Sequence, residues 1–130
     1  MERFDPPGLA RPSGFAHAVA ASGRTVFLAG QTGTDADGRV VPGGVVAQFE
    51  RALANLLTAL AAAGGGPEHL AQLTIYIVEM DGYRAHAREL GRVWRRLVGA
   101  EYPATAGIGV ARLWDPDALV ELQGTAVLPQ

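Results

Sequence analysis

A chain of 130 residues can close one hydrophobic core without staples, and 48% apolar against 18% charged residues describe an ordinary globular protein. The absence of cysteine excludes disulfides, thiolate nucleophiles and cysteine-ligated zinc or iron–sulfur centres, and a formal charge of −2 gives no broad electrostatic case for nucleic acid. No apolar run nears the roughly 20 residues that span a bilayer, and Met1-Glu2-Arg3-Phe4 lacks a signal-peptide core, so no membrane partner and a cytoplasmic location are expected.

The whole chain, 1–130, reads as one domain. Residues 1–13, with Pro6, Pro7, Gly8 and Pro12, form an extended arm. Phe15 to Ala20 and Arg24 to Gly30 are short apolar runs separated by Ser22-Gly23, which predicts an antiparallel hairpin. Asp35-Ala36-Asp37-Gly38 is turn chemistry, and Pro42-Gly43-Gly44 breaks the chain before a helix. Val45 to Ala63 is that helix, because Val45, Val46, Phe49, Leu53, Leu56, Leu57 and Leu60 fall on one stripe. Gly64 to Gly66 and Pro67 stop it. Gln72 to Val78 alternates as a strand with both faces largely covered. Asp81 is a candidate cap for a second helix to about Val98, with Tyr83, Leu90, Trp94, Leu97 and Val98 inward and Arg84, Arg88, Arg92 and Arg95 outward. Two strands follow, Ala104–Arg112 and Ala118–Val127, joined through Trp114-Asp115-Pro116-Asp117. The order ββαβαββ predicts an α+β layer, a mostly antiparallel sheet with two helices on one face.

If the last two strands pair about Asp115, Glu121 lies opposite Gly109, Gln123 opposite Gly107 and Thr125 opposite Thr105. Alternation then puts Thr105, Gly107, Gly109 and Glu121 on one face, away from the helices. A face that is small and polar, with one carboxylate, suits a subunit interface holding a polar cleft.

Five segments in order carry a resemblance. Gly14-Phe15-Ala16-His17-Ala18-Val19, Phe27-Leu28-Ala29-Gly30-Gln31, Gln48 through Gly64, Leu73-Thr74-Ile75-Tyr76-Ile77, and the closing Tyr102-Pro103-Ala104-Thr105-Ala106-Gly107 resemble the Rid (YjgF/YER057c/UK114) family of imine and enamine deaminases. The resemblance implies a chorismate-mutase-like fold, a homotrimer with clefts at the subunit interfaces, and hydrolysis of small reactive imines or enamines released by pyridoxal-phosphate or oxidase enzymes. It implies no metal and no organic cofactor. Glu121 matches the family glutamate that positions water. Thr105 stands where most active members carry a carboxylate-gripping arginine. Gly107 replaces a residue that is often cysteine, Phe15 a tyrosine and Ala29 a serine. His17, Ala29, Gly30 and Gln31 complete the expected substrate-binding set. The expected activity is therefore an imine or enamine hydrolase with an altered substrate class.

Other motifs point elsewhere less well. His17, His69 and His86 lack metal-ligand spacing, and Gly64-Gly65-Gly66 lacks the strand and Lys-Ser/Thr of a phosphate loop. Two alternatives remain: a catalytically silent trimer that binds a metabolite or docks on a partner, and an endoribonuclease using the arginine side of the second helix. Glu79 and Glu89 dilute that side.

Overall fold

The computed structural model describes residues 1–130. Two sheets and three helices form: β1 (Glu2–Phe4), β2 (Ala18–Ala20), β3 (Arg24–Thr32), α1 (Gly44–Ala62), β4 (Leu70–Ile77), α2 (Met80–Ala85), α3 (Ala87–Leu97), β5 (Ala104–Gly109) and β6 (Val120–Leu128). The main sheet has the order β3-β6-β4-β5, with antiparallel pairs except for the parallel pair β4–β5. This is the mostly antiparallel α+β layer that the element order predicts.

Helix α1 forms where its stripe requires. Phe49, Ala52, Leu53, Leu56 and Leu60 are buried, and Leu53, Leu56 and Leu60 meet Leu70, Leu73, Ile77, Val120 and Leu122 in the core. Its end is a Schellman motif: Gly64 takes φ 91°, its N–H donates to the Ala61 carbonyl, and the Gly65 N–H donates to the Leu60 carbonyl. Leu70, Leu73, Ile75 and Ile77 of β4 are buried beneath the helices, which makes β4 a central strand.

Three expectations need correction. The hairpin of Phe15–Ala20 with Arg24–Gly30 does not form. β2 pairs instead with β1 of the arm, and β3 takes β6 as its partner, because β6 offers a long ladder with alternating buried side chains. The second helix is two helices. It breaks at His86, whose Nδ1 lies 2.7 Å from the Gly82 carbonyl oxygen, and it starts at Met80, so that Asp81 sits inside the first turn rather than capping it.

The third correction matters most for the site. β5 and β6 are not neighbours, since β4 lies between them. The segment 110–119 is a crossover that passes the end of β4, where the Val110 N–H donates to the Ile77 carbonyl and the Val78 N–H to the Leu119 carbonyl. Glu121 therefore pairs with Tyr76 and Thr32, not with Gly109. Thr105, Gly107 and Gly109 align with Leu73, Ile75 and Ile77, so they share the helix-covered face. Glu121 remains on the open face, where no helix covers Phe27 (83% exposed) or Ile108 (43% exposed).

Candidate active site

The predicted site residues fall into two groups on opposite faces of the sheet. On the open face, Glu121 of β6 folds over Gly30 of β3. A Cβ added at Gly30 would lie 2.5 Å from Glu121 Oε2 and 2.8 Å from its Cδ. Only glycine leaves room for the carboxylate in this position. A register shift between Leu28 and Gln31 sets the geometry, since this bulge re-aims Ala29 and Gly30 before pairing resumes at Gln31–Leu122 and Thr32–Glu121. The carboxylate makes no salt bridge within the chain. Beside it, the Tyr76 hydroxyl donates to Gln123 Oε1 at 3.1 Å.

Two amides of α1 hold the backbone around this carboxylate. Asn55 Nδ2 donates to the Thr32 and Thr34 carbonyls at 3.3 and 2.9 Å. Gln48, only 5% exposed, donates to the Asp117 carbonyl at 3.3 Å and accepts the Leu119 N–H at 2.8 Å. Asn55 thus fixes the chain just after Gly30, and Gln48 fixes it just before Glu121. Neither was singled out from the sequence. The signal was two polar residues seven apart, on the inward side of an otherwise apolar helix.

On the helix side lies a cleft of about 370 Å³, within the size range of small-molecule sites. Phe15, Thr105 and Gly107 all line it. The Ala16 N–H donates to the Pro103 carbonyl at 3.1 Å, and Ala16 bridges Ala104, so the segment after Gly14 (φ 78°) docks on the start of β5 and sets Phe15 near Thr105. Arg3 of the arm holds the same connection, with Nε donating to the Tyr102 carbonyl and Nη1 to Glu101 Oε2, each at 2.9 Å. The Thr105 hydroxyl donates to the Pro103 carbonyl at 2.8 Å. Tyr83 closes the helix side of the cleft. Burial, and secondarily the nearby Tyr102, push its phenol up to about 12, which keeps it protonated.

His17 lies beside the cleft, not in its wall. Its Nε2 is 2.8 Å from the Ala10 carbonyl oxygen, and its ring meets Phe15 edge-on at 4.9 Å. Ala29 and Gln31 lie with Gly30 on β3, outside the cleft wall. Phe15, Thr105 and Gly107 are therefore brought together, as are Glu121 and Gly30, but the two groups stand apart. Two strand spacings and three residues of rise separate Glu121 from Thr105 by roughly 14 Å, with side chains on opposite faces.

The match to a family model decides what this arrangement belongs to. Residues 9–128 fit the family described as Endoribonuclease L-PSP. The chain belongs to that family, whose members include the Rid (YjgF/YER057c/UK114) proteins. It is 33% identical over 105 residues to the RutC family protein UK114 of Drosophila melanogaster, covering 80% of this chain and 72% of that protein. It is 32% identical over 105 residues to the 2-iminobutanoate/2-iminopropanoate deaminase of Capra hircus, covering 80% and 73%. Among solved structures, the Rid family protein YyfB of Yersinia pestis, itself of unknown function, superposes with a TM-score of 0.85 at 34% identity, covering 98% of each chain. The relatives support imine deamination in general terms. The α+β fold is that of the Rid neighbours. No helix is long and apolar enough to cross a membrane.

Proposed function

We propose that this chain hydrolyses a reactive imine or enamine to a carbonyl compound and ammonia, at a cleft completed by a second copy of itself. One observation carries the reading: the carboxylate seated over Gly30 and the cleft around Thr105 and Gly107 lie on opposite faces, roughly 14 Å apart. Within one chain the carboxylate cannot serve that cleft. A homotrimer with the open faces turned inward would cover Phe27 and Ile108 and bring Glu121 of one subunit to the cleft of the next.

In that site Glu121 orients the attacking water and takes a proton from it as the C–O bond forms. Glu121 returns that proton to the nitrogen, and collapse of the carbinolamine, with its hydroxyl proton passing to the nitrogen, breaks the C–N bond, forms the C=O bond and releases ammonia. Thr105 lines the cleft where the family's arginine would grip a carboxylate. Loss of that pair removes about 1.5–3 kcal/mol, or roughly 10- to 150-fold in affinity for an anionic substrate. The substrate class is therefore altered relative to the 2-imino acids named for the relatives. Phe15, Gly107 and the adjacent His17 shape the substrate side, and Ala29, Gly30 and Gln31 shape the carboxylate side. Water is the only other reactant, and an upstream oxidase or pyridoxal-phosphate enzyme in the cytoplasm would supply the imine.

The test is a panel of imines generated in place by amino-acid and amine oxidases, followed by carbonyl release. Acceleration above buffer that falls by about 100-fold in Glu121→Gln is expected. No acceleration across the panel, with Glu121→Gln indistinguishable from the parent chain, would refute the proposal. One feature favours a second reading, a silent metabolite-binding or partner-docking assembly: the cleft wall contains no carboxylate, imidazole or amine. Native mass spectrometry that recovers a bound metabolite unchanged from the active-concentration protein supports that reading instead.

A further inference from the structure

The composition of the cleft restricts what it can hold. None of the side chains lining it is charged. Phe15, Phe49, Tyr83, Trp94 and Tyr102 give it five aromatic walls. Four of these rings are fixed by one another: Trp94 and Tyr102 stack at 5.0 Å with 9° between planes, and Phe49 meets Tyr83 edge-on at 6.3 Å. The indole N–H of Trp94 is already given to the Glu101 carbonyl at 3.0 Å, and the Thr105 hydroxyl proton to Pro103. Of the side-chain donors that could meet a ligand, the Ser13 hydroxyl and the two tyrosine hydroxyls remain, and all three are uncharged.

Small residues keep the space open. Ala87 and Gly91 stand one turn apart on α3 and both line the cleft. A Cβ added at Gly91 would meet nothing within 4 Å. The helix therefore tolerates a side chain here, and glycine leaves the volume to something else. A carboxylate entering this space would lose water and meet no cation from the residues that line it. A flat ring would meet ring edges and faces at the spacings that aromatic pairs prefer.

Building on the imine-hydrolase reading above, we infer that the substrate is an uncharged imine bearing an aryl group, of the class formed when an arylalkylamine is oxidised. The reaction that supplies it removes two hydrogens from a primary amine and leaves the C=N bond. Here water adds across that bond, the nitrogen takes a proton, the C–N bond breaks, and an aryl-bearing carbonyl compound and ammonia leave.

Binding and turnover are measured separately. Trp114 is 97% exposed and distant in role from the cleft, so Trp114→Phe leaves Trp94 as the single indole reporter. In that background, phenylacetone is expected to quench Trp94 with an affinity about tenfold or more above phenylpyruvate and pyruvate. Gly91→Leu should weaken phenylacetone by about tenfold while the melting temperature holds or rises, because the added side chain fills the ring's space in a helix that prefers leucine to glycine. Equal or tighter binding of phenylpyruvate or pyruvate overturns the inference. In turnover, the imine from phenylethylamine should outpace those from phenylalanine and alanine. If the alanine-derived imine is hydrolysed as fast, the aryl assignment fails and the hydrolase reading stands. If phenylacetone binds with the expected selectivity but no imine is hydrolysed, the aryl assignment stands and the hydrolase reading fails.

Discussion

Replacing Gly30 by alanine separates stability from chemistry at the proposed site. The new Cβ would lie 2.5 Å from Glu121 Oε2 and 2.8 Å from Cδ, too close for either to stay. Those atoms end a rotatable side chain on an open face, so the carboxylate swings aside and the backbone keeps its place. The strain of moving it is about 0.5–1.5 kcal/mol. Alanine also narrows the unfolded ensemble, which contributes about 0.4–1 kcal/mol in the other direction, because Gly30 does not use a left-handed φ. The net change in unfolding free energy is expected to stay within about 1 kcal/mol. Turnover should fall much further, since a 1 Å displacement of a catalytic group can remove about 100-fold in rate. Gly33→Ala is the contrast. Its Cβ would lie 2.6 Å from both the Cα and the carbonyl oxygen of Gln48, which are backbone atoms of α1 and cannot swing away. That variant should lose about 2 kcal/mol or more. Urea unfolding and imine turnover on both variants check the reasoning. Gly30→Ala losing more than about 2 kcal/mol, or retaining full turnover, would refute it.

Further outcomes are expected elsewhere. Asn55→Ala strips two carbonyls, Thr32 and Thr34, of their side-chain donor and should cost about 1–3 kcal/mol in urea unfolding with an unchanged slope. Tyr83 has a folded-state phenol near 12 against 10.0 for the free group, so stability present below pH 10 is lost as pH rises through about 12. The loss reaches at most about 2–3 kcal/mol, and an alkaline unfolding series on Tyr83→Phe should be flatter by that amount. Thr105→Arg should raise affinity for phenylpyruvate over phenylacetone in Trp94 quenching, and an unchanged preference would show that position 105 does not read the substrate's charge.

Much of this was legible in the residues. The leucine stripe and Gly64 specify α1 and its Schellman end, because both depend on local geometry alone. The alternation of Leu73, Ile75 and Ile77 specifies a strand, but the expectation that both its faces are largely covered is corrected: within the chain only the helix side is buried, and Gln72 is exposed and Thr74 and Tyr76 half-buried on the other. The partner of β5 was not legible. Ala-Thr-Ala-Gly-Ile-Gly has an apolar side, Ala104, Ala106 and Ile108, yet that side lies on the open face, because its orientation follows from its register with β4, which is a tertiary choice. Sequence adjacency suggested a hairpin with β6, and the crossover at 110–119 defeats that suggestion. The same error placed Thr105 on one face with Glu121, whereas the fold divides them between two faces. Gly30 is an expected substrate-binding residue, but its place beneath Glu121 depends on the bulge after Leu28, which the residues alone do not announce.

Subunit mixing tests the composite site most directly. Glu121→Gln keeps an intact cleft and lacks the carboxylate, whereas Gly91→Trp fills the cleft and keeps the carboxylate. Each alone should be inactive on an imine that the parent chain hydrolyses. Co-expressed with different tags and purified as mixed assemblies, they should recover about a quarter of the parent turnover, the fraction of interfaces that pair an intact cleft with an intact carboxylate. No recovery in verified mixed assemblies, or full activity in Glu121→Gln alone, would contradict a site built from two copies of this chain.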